Sequence, residues 1–177
     1  MIHMRIWRPV GSAGVEYLTA DNSGELLRAR STVIGLERGS PFRLTYEITH
    51  EVAVGMQEAT IEFADGNEKS VQSLHLDRSK LADNNAIDIP VTPFTKSPAI
   101  RTLDLSVGES REISVARVRL PRLRVETVEE RYTRLDDRDG EQIYRYEPDS
   151  GDTAVELAVD SDGFVGDYPG RFKRILL

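Results

Sequence analysis

The 177-residue chain has no cysteine. Disulfides, thiolate metal sites and a cysteine nucleophile are therefore excluded, and the absence accords with a reducing compartment. Histidine is scarce as well: His3, His50 and His75 are well separated in sequence, which argues against a zinc set. Positive charge is in deficit, with 23 Lys and Arg against 30 Asp and Glu, a net of −7. A phosphate backbone would be repelled on average, so no nucleic-acid partner is expected. No stretch approaches the ~20 apolar residues of a membrane helix. The opening "MIHMRIWRPV" lacks the apolar run of a signal peptide, and the expectation is a soluble cytoplasmic protein. The Gly-x-Ser-x-Gly elbow of serine hydrolases is absent. "VDSDGF" and "DDRDGE" are too short for a calcium loop and read as turns. Neither a metal nor a cofactor is expected. Thirty acidic residues make chance carboxylate pairs unavoidable, but the sequence sets no two of them across a cleft.

What the chain has is period-two alternation. In "FRLTYEITH", Phe42, Leu44, Tyr46 and Ile48 fall on one face and Arg43, Thr45, Glu47 and Thr49 on the other, the pattern of a half-buried strand. "AVELAVD" does the same with Val155, Leu157 and Val159. "TIEF", "VQSLHL", "LDLSV", "RLRVETV" and "QIYRY" follow suit. "EISVARVRL" shifts phase at Ala116–Arg117, which predicts a bulge. Asp-Gly pairs in "FADGNE" and "DDRDGEQ" mark hairpins. Helical spacing is poor: "GELLRARSTV" serves a strand equally well, and "DRSKLADNN" has room for one turn. No linker divides the chain, so residues 1–177 read as a single domain. Closely spaced strands joined by tight turns predict an antiparallel sheet that rolls onto itself. Glutamates of "VEER" are assigned to polar phases. Arg117, Arg119, Arg122 and Arg124 bracket Pro121 and read either as a solvated strand face or as an anion site. The aromatic residues of the last third, Tyr132, Tyr144, Tyr146, Phe164, Tyr168 and Phe172, read mainly as packing.

Alternation stops at residues 91–105, "VTPFTKSPAIRTLDL". Thr92-Pro93 and Ser97-Pro98 each have the form of a helix N-cap followed by a first-turn proline. One or two helical turns are expected within 92–101, with a strand at 102–107. A short helix plugging the mouth or interior of the roll competes with a surface proline loop.

Around this stretch the chain resembles the "putative glycolipid-binding" family. That family shares an Asp before a TPFTN run and then Pro-Ile-Arg-Arg-Leu. Here Thr92, Pro93, Phe94, Thr95 and Arg101 match, Lys96 stands in place of the usual Asn, and Thr102 in place of a second Arg. The resemblance continues in "VGES", "VRLPRLRV", "RYTRL", "YRYE" and "VDSDGFVGDYPGRFKRI", and upstream in "WRP", "GVEYL" and "PFRLTYEI"; "THEVAVGMQEA" replaces a segment that carries tryptophan in the family. It implies an all-β fold with minor α content: a spiral antiparallel β-roll of about eleven to fifteen strands around one short helix, similar in outline to lipoprotein carriers. It also implies non-catalytic binding of an amphipathic ligand, a glycolipid, in or at the mouth of the roll. The residues expected to hold that ligand are Thr95, Arg101, Tyr132 and Tyr146, with Arg101 and the 92–97 turn orienting the polar head. The alternatives are a structural module that forms a homodimer around a packed core, and an enzyme acting on a lipid or sugar.

Overall fold

The structure, a computed structural model, describes residues 1–66, 71–81, 84, 86–148, 151 and 153–176. In chain order the strands are β1 (Ile2–Pro9), β2 (Gly14–Asn22), β3 (Leu26–Glu37), β4 (Ser40–Glu51), β5 (Gly55–Asp65), β6 (Val71–Asp77), β7 (Ala86–Asp88), β8 (Ser110–Arg119), β9 (Arg124–Arg138), β10 (Glu141–Pro148), β11 (Val155–Val159) and β12 (Phe172–Ile175). Among the described residues one α-helix, α1 (Lys96–Leu103), follows β7, and one 3₁₀ turn, Arg78–Lys80, follows β6. Seven strands form a sheet in the order β12-β1-β2-β3-β4-β5-β6, and five form a second in the order β11-β10-β9-β8-β7. The expected all-β roll around one short helix is what the chain adopts.

Local chemistry explains the turns. Asp139 (φ 54°) and Gly140 (φ 82°) form the two-residue loop between β9 and β10, and Arg38 (φ 51°) with Gly39 (φ 82°) does the same between β3 and β4. Two consecutive positive φ values give the twist that matches flanking strands. β5 ends at Asp65, just before Gly66; the hairpin expected from this Asp-Gly pair involves 67–70, which lie outside the described residues.

Three expectations are corrected. First, the sheet is not wholly antiparallel: β7 and β8 pair in parallel, Ala86↔Val115 to Asp88↔Arg117. A parallel neighbour needs a crossover, and α1 is that crossover. Second, β8 carries no bulge at Ala116–Arg117; its register with β9 runs unbroken from Ser110 to Arg119. The phase shift arises because β8 is buried on both faces, Val115 against one core cluster and Ala116 and Val118 against the other. Third, 102–107 is not a strand. The helix runs on through Leu103, Asp104 closes it in the left-handed region (φ 42°), and Ser106–Glu109 forms a turn before β8.

Helix α1 starts from Thr95 rather than Ser97. Pro98 then falls in the first turn, where no backbone donor is required. The helix lies between the sheets. Thr102 Oγ1 meets His50 Nε2 of β4 at 2.7 Å, Ser97 Oγ accepts the Val165 N–H at 2.9 Å, and Ala99, Ile100 and Leu103 pack with Val115, Val128 and Leu157 of the five-stranded sheet. The middle of the roll, one of the two places expected for a ligand, is filled by the chain's own rings. Trp7, Tyr46, Phe94 and Phe164 are fully buried, and Phe94 lies 6.0 Å from Tyr46 and 6.2 Å from Phe164 between ring centres.

Candidate functional site

The mouth of the roll is different. Where β1 turns into β2 and β3 into β4, an apolar chamber of about 190 Å³ opens. Trp7, Val33, Ile34, Leu36, Phe42 and Phe172 contribute its apolar walls. Trp7 keeps its indole fixed by donating Nε1–H to Gly166 O at 2.8 Å. Glu16 is the carboxylate of this chamber. Its Oε1 accepts from Ser31 (2.8 Å) and Tyr46 (2.7 Å), and its Oε2 is buried. Burial pushes Glu16 from the ordinary 4.5 up to about 7, against the opposing pull of the Thr92, Tyr46 and Ser31 hydroxyls.

A second chamber of about 160 Å³ adjoins the first, and Pro90, Arg171 and Phe172 line both. Its character is polar, set by four buried charges. Lys96 Nζ lies 2.8 Å from Asp88 Oδ1 and 2.7 Å from Glu130 Oε1, and 4.6 Å over the Tyr146 ring. Arg117 bridges the same two carboxylates, Nε to Asp88 Oδ2 at 2.7 Å and Nη2 to Glu130 Oε1 at 3.2 Å. Tyr132 and Tyr146 donate their hydroxyls to Glu130 at 2.8 and 2.9 Å. Burial would push Asp88 up, but the two cations outweigh it and hold its carboxyl below the usual range. Burial likewise opposes the charge on Lys96, and the carboxylates overcome it and raise its pKa. Burial raises both tyrosines, assisted for Tyr132 by the Glu130 charge, so both stay protonated as donors.

The four residues expected from sequence are distributed as follows. Tyr146 lines the polar chamber, and Tyr132 stands behind it, 5.1 Å away ring to ring. Thr95 is buried, its Oγ1 accepting Ile89 N–H at 3.4 Å. Arg101 is elsewhere. Five residues after Lys96 it points about 140° around the helix. It donates to Asp162 O, to Gly163 O at 3.4 Å and to Asn22 Oδ1 at 3.2 Å. A side chain at Gly163 would meet its guanidinium at 2.5 Å, so the glycine makes room for that latch. The neighbouring Asp160 accepts the N–H groups of Asp162 and Phe164 and pairs with Arg5 (3.1 Å) and Arg174 (2.6 Å). No group of three or more potential ligating residues is arranged to hold a metal among the described residues.

Sequence reasoning missed Lys96, Asp88, Glu130 and Glu16 as site residues. Glu130 had a signal: it shares its phase with Val128 and Tyr132 and is buried, so its assignment to a polar phase is corrected. Glu16 had none, because Val15 and Tyr17 are as apolar as Leu18 and Ala20, and either face of β2 reads as the inner one. The arginine run is split between its two readings: Arg117 is buried in the cluster, whereas Arg119 is exposed and pairs with Glu126 at 2.5 Å.

Fold and site together define an all-β roll with its own core packed and a two-chambered pocket at one end. The chain belongs to the family described as "putative glycolipid-binding", whose model matches residues 4–174. The structure is similar to the crystal structure of a DUF1089 family protein from Pseudomonas aeruginosa, with a TM-score of 0.73 and 26% identity, covering 90% of this chain and 92% of that one. No curated protein matches the chain. Among the described residues no helix is long and apolar enough to cross a membrane.

Proposed function

We propose that the protein binds an amphipathic small molecule, a glycolipid in keeping with the family description, at the mouth of the roll. The observation that carries this reading is the shared wall. Because Pro90, Arg171 and Phe172 border both chambers, one molecule with an apolar and a polar end fits across them. Together the chambers reach the lower end of the ~300–1,000 Å³ range of small-molecule sites. A short alkyl segment beside Trp7 and Phe42 gains about 0.8 kcal/mol per buried CH₂. Asp88, Thr92 and Tyr146 offer acceptor oxygens to hydroxyls of a head. In this reading Tyr146 touches the ligand, Tyr132 and Thr95 hold the layer behind it, and Arg101 fastens the loop at 160–164.

Trp7 is the only tryptophan of the chain and lines the apolar chamber, so its emission reports occupancy. Titration with decyl glucoside below its micelle concentration is expected to shift that emission with saturation. Ala13→Phe, at the chamber rim, is expected to weaken binding at least tenfold with an unchanged melting temperature. Neither an emission change nor heat on titration, together with only ligand-free protein in native mass spectra, would overturn the proposal.

A homodimer is the second reading. Ile2, Met4, Tyr17 and Ile34 stand exposed on β1, β2 and β3, and Tyr17 and Ile34 share the outward phase of the large sheet there. Light scattering after gel filtration is expected to give twice 19.9 kDa, falling to one chain mass in Ile34→Glu. A single-chain mass for the unmodified protein at tens of micromolar sinks it.

A further inference from the structure

The cations around the polar chamber are not equivalent. Lys96 and Arg117 are neutralised by Asp88 and Glu130, and Arg119 by Glu126. Arg171 has no carboxylate within ion-pair distance among the described residues. Its hydrogen bond runs from Nη2 to Pro90 O at 3.1 Å, a neutral acceptor. The guanidinium is nonetheless held in place, with its carbon 5.4 Å from the Tyr168 ring centre and 5.9 Å from that of Phe172. Stacking of this kind orients a guanidinium and leaves its in-plane donors available. Arg171 also lines both chambers, so it stands at the junction between the apolar and the polar one.

We infer that the ligand carries an anionic group, a phosphate, sulfate or carboxylate, at the junction of its apolar and polar parts, and that Arg171 binds it. This rests on the amphiphile reading and deepens it. Arg171 is exposed at the mouth, so an anionic group entering there meets its in-plane donors without having to displace a protein carboxylate. A phosphate or carboxylate supplies the pair of oxygen acceptors that a guanidinium fork matches. The carboxylates nearby do not oppose this. Asp88 lies between Lys96 and Arg117, and Glu16 directs Oε1 to Ser31 and Tyr46.

The test compares probes of one chain length on the whole protein: decyl phosphate, decyl glucoside and decyltrimethylammonium, read by Trp7 emission and by calorimetry. Decyl phosphate is expected to bind at least tenfold tighter than decyl glucoside, and the cationic probe weakest. Arg171→Met keeps an apolar stem against Tyr168 and Phe172, and it is expected to bring phosphate and glucoside to parity, with the larger loss on phosphate. Arg171→Lys is expected to retain part of the preference, and its folding serves as the control should the Met variant misfold. The preference is also expected to shrink as salt is raised. Equal binding of phosphate and glucoside by the unmodified protein, or an undiminished preference in the folded Met variant, overturns the inference and leaves the amphiphile reading standing. Binding of no decyl probe overturns both. Inorganic phosphate is the remaining arm: it is expected to bind at least a hundredfold more weakly than decyl phosphate, and equal affinity would assign the site to a free anion and overturn the lipid source.

Discussion

Lys96→Met is expected to destabilise the protein by about 3–5 kcal/mol at neutral pH, the usual cost of removing one partner from a buried ion cluster. The substitution keeps most of the side-chain volume but removes the charge that faces Asp88 Oδ1 and Glu130 Oε1. Two buried carboxylates then share Arg117 alone. The cost is far above that of a surface pair, worth about 0–1 kcal/mol, because water cannot replace the lost ammonium at a site where Lys96, Asp88 and Glu130 are at most 5% exposed. It is also a large share of the ~5–15 kcal/mol that holds a domain folded. Two features identify the mechanism. The penalty should shrink as pH is lowered, since proton uptake by either carboxylate removes the excess charge. In addition, Lys96→Met combined with Asp88→Asn should cost less than the sum of the two single changes by about 1–3 kcal/mol, because the double variant leaves Arg117 matched to Glu130. Chemical denaturation of the four proteins measures this; an additive cycle would show that the charges do not act as a unit.

The second large effect is on the pH dependence of stability, where two buried groups oppose each other. Glu16 is raised from 4.5 to about 7 by burial. Between those values the folded chain holds a proton that the unfolded chain has released, so this group makes stability fall as pH rises, and the loss is complete above about 7. His50 is lowered from 6.5 to about 4 by burial, with the Arg101 and Arg78 charges assisting. Between those values the unfolded chain holds the extra proton, so this group makes stability rise with pH, and the gain is complete above about 6.5. The slopes are each about 1.4 kcal/mol per pH unit and cancel over roughly pH 4.5–6.5. The unmodified protein should therefore show a shallow profile there. Glu16→Gln should unmask a rise of about 3 kcal/mol between pH 4 and 6.5, and should be more stable than the unmodified protein at pH 8. His50→Gln should unmask a fall of similar size between pH 4.5 and 7. Urea midpoints measured across pH 4–8 test this, and parallel profiles for all three proteins would contradict it.

Glu16 and His50 also mark the limit of what the chain reveals before it folds. Period two along 42–48 suffices to place Phe42, Leu44, Tyr46 and Ile48 in the core, because alternate side chains of a strand point to opposite faces whatever lies beside them. Asp139-Gly140 suffices for its hairpin, since the turn is a property of two residues. The prolines confine the expected helical turns to 92–101, as proline is accommodated only where no donor is needed, and the helix observed at Lys96–Leu103 overlaps that span but runs on where a strand was expected. Those are local constraints, and they determine strands, turns and the single helix.

Which strand comes opposite which is not local. The crossover through α1 makes β7 and β8 parallel, buries β8 on both faces and so converts an apparent break in its pattern at Ala116–Arg117 into continuous pairing. The same folding brings Lys96 to Asp88, 8 residues away, and to Glu130, 34 residues away. It sets the wall at Pro90 against Arg171, 81 residues further along. Alternation fixes the face on which a side chain stands but carries no information about the partner across the gap, and a charge is tolerated in the core only once that partner has arrived. The strands are therefore written in the sequence, while the charged cluster, the two chambers and the placing of Arg171 between them were decided by tertiary structure alone.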